Sequence, residues 1–122
     1  MVTVTGIMTD LAKERLIDMF NGGSSVIPDS IGIGKDDAIT DEDPTWITIP
    51  NLAYQKNISN KERVDSTTII FKTSLKGEDI PEDAYNILGV FDGDDLLFVA
   101  YLDTAIEINE FKYIDIEYKV EW

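Results

Sequence analysis

Carboxylates are the most abundant reactive groups in this chain, and they gather in two places. One is the segment holding Asp36, Asp37, Asp41, Glu42 and Asp43, just ahead of Pro44; the other is Asp92-Gly93-Asp94-Asp95. Clustered carboxylate oxygens are what a hard cation such as Ca²⁺ requires. Neither run has EF-hand spacing, and the second lacks the glycine and distal glutamate of that loop. Both read as solvated loops, and no metal ligand set is assigned. Paired carboxylates also serve glycoside hydrolysis. No pair is singled out by spacing, however, and a domain this small leaves little room for a substrate cleft. Gly32-Ile33-Gly34-Lys35 has the outline of a phosphate loop, but Asp29 stands where its first glycine belongs. Asp36 follows Lys35, and an acid there repels phosphate. The dinucleotide fingerprint fails as well, because Asp37 replaces its last glycine.

What the chain lacks narrows the chemistry further. Its 122 residues contain no His and no Cys. That removes the serine–histidine triad, histidine-ligated metals, thiol nucleophiles, zinc–thiolate sites and disulfides. The expectation is a protein that is not an enzyme, holds no cofactor, and takes no small-molecule substrate. With 24 acidic against 10 basic residues the net charge is -14. Such a charge opposes contact with nucleic-acid phosphates or an anionic membrane surface. It would suit a DNA mimic that inhibits a nucleic-acid-binding enzyme, the alternative reading of the charge. The acids do not form long stripes, though, and they alternate with bases at Lys61-Glu62-Arg63. No basic segment leads into a long apolar run, and no window approaches 18 apolar residues, so neither a targeting peptide nor a membrane span is expected.

The elements that must position these residues follow from the apolar spacing. Thr9 is a cap, Asp10 places a negative charge in a first helical turn, and Met8, Leu11, Ala12, Leu16, Met19 and Phe20 recur every three or four residues. This predicts a helix ending at Asn21-Gly22-Gly23. Thereafter the period falls to two. Strands are expected over Val26–Gly34, over Trp46–Ile49, and over Leu52–Ile58, with Pro50 marking an edge or bulge. Residues 59–63 read as a turn and Val64–Leu75 as a long strand. Tyr85–Phe91 and Leu96–Leu102 form a hairpin about Asp92-Gly93. Gly89 inside the first of these strands points to close backbone approach or a bulge. Ile114, Ile116, Tyr118, Val120 and Trp122 alternate with Asp115, Glu117, Lys119 and Glu121, which predicts a half-buried strand with one wet face. The expected fold is α+β and mostly β: residues 1–122 as a single domain, with the N-terminal helix packed on an antiparallel β-sandwich or strongly bent sheet.

The order of these pieces resembles the N-terminal module of phage tail-collar and tail-fibre proteins. The likeness lies in a helix opening on Thr9-Asp10-Leu11-Ala12 and closing on Gly22-Gly23. It continues in a short strand ending Ile31-Gly32-Ile33-Gly34 before an acidic loop, and in Leu88-Gly89-Val90-Phe91-Asp92 before an acidic turn and Leu96-Leu97. The resemblance implies a structural protein of a tailed virus particle, located in the tail and made in the host cytoplasm. Such a collar, baseplate or fibre-attachment subunit would act by assembly with other virion proteins and with itself, trimers included. Thr9, Asp10, Gly32, Gly34, Leu88, Gly89, Phe91 and Asp92 are the motif residues the likeness carries over.

Overall fold

A computed structural model describes residues 1–121. The helix forms where its capping residues place it. In α1 (Asp10–Phe20) the Thr9 side chain accepts the amide of Ala12 at 3.2 Å. At the far end the amide of Gly22 donates to the Met19 carbonyl, and that of Gly23 to the Asp18 carbonyl at 2.7 Å. These are the two bonds of a Schellman stop. The helix is less buried than its periodicity predicts. Only Ala12 is fully enclosed, while Ile17 and Phe20, at 60% and 80% exposure, face solvent.

The strands make two sheets. In the first, the order is β1 (Val2–Thr5), β9 (Tyr113–Glu121), β6 (Thr68–Lys76), β5 (Asn60–Arg63). In the second it is β2 (Ile7–Met8), β8 (Asp95–Ile108), β7 (Asp83–Asp92), β3 (Ser30–Gly34), β4 (Tyr54–Asn57). All ladders are antiparallel except β1 on β9, which is parallel, with Val2 beside Ile116 and Thr5 beside Lys119. The chain changes sheets at both margins, at Gly6 between β1 and β2 and at Ile58-Ser59 between β4 and β5. The architecture is therefore mostly β with one helix, as expected. No helix among the described residues is long and apolar enough to cross a membrane.

The core lies between the sheets. Ile114, Ile116, Tyr118 and Val120 of β9 point into it, meeting Ile31 and Ile33 of β3 and Leu88 and Val90 of β7. The alternation of β9 thus holds through Val120; Trp122 lies outside the described residues. A second, smaller core occupies the other face of the second sheet. Ile87, Phe91, Leu96 and Val99 are roofed there by Ile49, with Ile39 and Trp46 packed beside it. This is why β7 reads as an almost unbroken apolar run: both of its faces are covered.

Several boundaries differ from the sequence expectation. Residues 46–49 are not a strand. They belong to the irregular roof, and Pro50 sits in that loop rather than at a sheet edge. Residues 60–63, expected as a turn, are the edge strand β5, fully exposed and hence polar. The strand expected from Val64 starts at Thr68, because 64–67 form the turn back from β5. There Asp65 accepts the Thr67 amide at 2.8 Å. The strand expected from Val26 starts at Ser30, and β4 starts at Tyr54 rather than Leu52. Finally, β8 runs on to Ile108, past an irregularity opposite Asn86.

Candidate functional site

Thr9, Asp10, Phe91 and Asp92 lie about the β7–β8 turn and the elements that hold it, while Gly32, Gly34 and Gly89 lie beneath the loop that covers the second sheet. Asp92 and Asp95 pair across that turn, leaving Gly93 and Asp94 as its two-residue loop. Gly93 has φ 59°. A positive φ at the first central position is what a tight hairpin of this kind needs. The predicted hairpin is present, with its glycine at the first loop position, one earlier than in an Asp-Gly loop.

The acids of this turn are used to tie it down. Arg15 of α1 bridges Asp92 at 2.8 Å and Asp95 at 3.1 Å, and donates a further bond to the Ser25 carbonyl. The same Asp92 oxygen accepts the Ile27 amide at 3.1 Å. Asp29 accepts the Gly93 amide at 3.0 Å, and Gln55 donates to the Gly93 carbonyl at 2.9 Å. Arg15, Asp29 and Gln55 carry no motif signal. The one signal that could have pointed to Arg15 is rarity, since it is one of two arginines in an acidic chain.

Thr9 does more than cap the helix. It is fully buried; its hydroxyl donates to the Leu96 carbonyl at 2.6 Å while its oxygen accepts the Ala12 amide. Its own amide donates to the Leu97 carbonyl at 2.9 Å. One residue thereby joins the start of α1 to the start of β8. Asp10 contributes its backbone amide to the Pro44 carbonyl at 2.8 Å, fastening the acidic loop to the same point. Replacing Thr9 with Val keeps the shape but strands a buried acceptor and a helix donor. We expect a loss of about 2 kcal/mol, read as a lower urea midpoint at unchanged m-value. Thr9→Ser, which keeps the hydroxyl, should lose less.

The glycines form a floor. Gly32 of β3 lies opposite Gly89 of β7 in register, and Gly34 follows on the same face. A Cβ on Gly32 would stand 2.6 Å from the Phe91 ring. One on Gly89 would stand 2.5 Å from Leu96 and 2.8 Å from Ile49, and one on Gly34 would stand 2.6 Å from the Pro50 carbonyl. Gly89 is closely approached, first by the Leu96 side chain of β8 and next by the Ile49 side chain of the roof, with backbone, the Phe98 carbonyl, only third. Leu88 belongs instead to the main core.

The acidic segment is likewise held by its own carboxylates. Asp36 accepts the Ala38 amide, Asp41 the Glu42 amide, and Asp43 both the amide and the hydroxyl of Thr45. Those two bonds, the hydroxyl's first, hold the Asp43 carboxyl below its ordinary range. Glu42 accepts the Tyr101 amide at 3.2 Å, and Asn86 exchanges two bonds with the backbone of Asp36. The hydrogen bond from Lys35, at 2.8 Å, likewise holds the Asp83 carboxyl low. Among the described residues no group of three or more Asp and Glu comes together in a way that could hold a metal ion. Among the described residues, buried Tyr118 has no hydrogen-bond partner for its hydroxyl, and burial pushes its pKa far up.

One surface feature stands apart from this scaffold. An open groove of about 450 Å³ runs between α1 and the β5–β6 hairpin, lined by Leu16, Ile27, Ile69, Phe71, Leu97 and Val120. Lys61 and Arg63 border it.

No family model matches the chain, and neither a curated protein nor a solved structure shows significant similarity to it.

Proposed function

We propose that this chain is a structural protein of a tailed virus particle, a collar, baseplate or fibre-attachment subunit that works by protein–protein assembly. The observation that carries the reading is the apolar surface at the groove. Buried side chains of the main core floor the groove, Ile27 in its lining is 56% exposed, and the helix that flanks it leaves Ile17 and Phe20 60% and 80% exposed. An apolar surface of this kind, rimmed by polar residues, is what a subunit turns toward a neighbour. The motif residues support the same reading, since they spend their polar groups on holding the hairpin, helix and loop together. A rigid platform presenting an apolar face suits assembly better than turnover.

The test is composition of the particle. Virions made from the genome that encodes this chain, purified and examined by mass spectrometry, should contain it in fixed stoichiometry with known tail components. Its absence from such particles would sink the proposal.

A further inference from the structure

We propose that the outer edge of β1 pairs with β1 of a second copy of this chain, antiparallel, so that two four-stranded sheets join into one. The inference rests on the assembly reading and names a surface and a partner for it.

β1 ends the first sheet, and among the described residues no backbone bond reaches its outer side. Open strand edges recruit other strands unless charge, proline, a bulge or shortness prevents it. The other three edges carry such protection. β5 is Asn60-Lys61-Glu62-Arg63, β4 includes Lys56, and β2 has two residues. β1 is Val-Thr-Val-Thr, and no ionisable side chain occurs from Val2 through Thr9. In a chain of net charge -14, an uncharged edge is where a second copy can approach at least electrostatic cost.

The edge is also complementary to itself. Val2 and Val4 turn inward, Val4 fully buried, while Thr3 and Thr5 are exposed. Antiparallel pairing with Thr3 opposite Thr3 sets Val2 opposite Val4 on one face. Both alternations then stay in phase across the junction, and threonine meets threonine on the wet face. A pairing one residue out of step would set valine opposite threonine and place the two bodies on opposite faces of the joined sheet. The strand is short, so the pairing is weak and concentration-dependent. Salt should tighten it by screening the two acidic bodies from each other.

Sedimentation equilibrium of the full chain tests this. The expected result is a monomer–dimer equilibrium that strengthens with added salt, with amide exchange at β1 slowing as the dimer forms. Thr3→Lys and Thr3→Glu place like charges opposite each other at the centre, and each should weaken dimerisation by about tenfold or more. Thr3 is exposed but lies beside Glu117 of β9, so the Glu variant should melt slightly below and the Lys variant slightly above the unmodified protein, both remaining folded where dimerisation is measured. An equimolar mixture of the two should recover the dimer, because Lys then faces Glu. A monomer at every concentration, a trimer, or dimerisation untouched by both substitutions would overturn the proposal. These outcomes are independent of the particle test: a chain that self-pairs yet is missing from virions sinks the virion reading alone.

Discussion

Phe91→Ala should destabilise the protein by about 3–5 kcal/mol, the range for removing a buried aromatic side chain. Its melting temperature should fall by roughly 10–20 °C for a domain of this length. Phe91 is 1% exposed, and its ring lies over Gly32, where a Cβ would stand 2.6 Å from it. Ring and glycine are therefore one unit, and their coupling is measurable. Gly32→Ala alone should cost stability, because the added methyl must displace the ring. In the Phe91→Ala background the ring is gone, and the same methyl enters the space it leaves. There the Leu52 side chain, 3.0 Å from the added carbon, is the remaining tight neighbour, and it is a flexible one. The second substitution should then be neutral or partly restorative. A double-mutant cycle by chemical denaturation should give a coupling of roughly 1–2 kcal/mol. Additive losses would show that the ring does not rest on Gly32.

The parts of this fold that were legible in the sequence are those fixed by near neighbours. Thr9 and Gly22 bracket α1 because a cap and a left-handed stop act within one turn. The alternation of β9 is visible because one face of that strand is wholly buried. The β7–β8 hairpin announces itself through its glycine-containing turn. What stayed hidden depends on contacts distant in the chain. β1 is four residues long and takes its place from β9, more than a hundred residues away. β5 is entirely exposed, so no apolar alternation marks it, and its charges resemble those of a turn. Ile49 sits in irregular chain, and only the glycine floor beneath it makes it a core residue. The candidate site divides in the same way. Gly32 and Gly89 stand out as glycines in strands, yet their facing register follows from the β3–β7 ladder alone. Arg15, which joins helix to hairpin, has no local signature at all.

Ile49 is the residue through which the acidic segment is held, and Ile49→Ala should separate local from global stability. The side chain is 2% exposed and meets Gly89 and Gly34 from above. Truncation leaves a cavity between roof and floor, at an expected cost of about 2–5 kcal/mol. The floor itself is a five-stranded sheet whose other face is the main core. The roof is irregular chain without a ladder of its own, tied down by scattered bonds, among them Asp10 to Pro44, Leu96 to Ile47, Tyr101 to Glu42 and the Asn86 pair. The loss should therefore appear first as opening of the roof, since weakly buried, irregular segments open at low free energy. Limited proteolysis of Ile49→Ala in native conditions should cut within residues 36–53 while leaving β7 and β8 intact. Amide exchange should rise there well before the strands. Opening would also free Glu42 and its neighbours from their backbone donors, spreading like charge that the fold now keeps tethered. Added salt should accordingly slow the cleavage by screening that repulsion. Cleavage spread evenly along the chain would mean instead that roof and sandwich unfold as one cooperative unit.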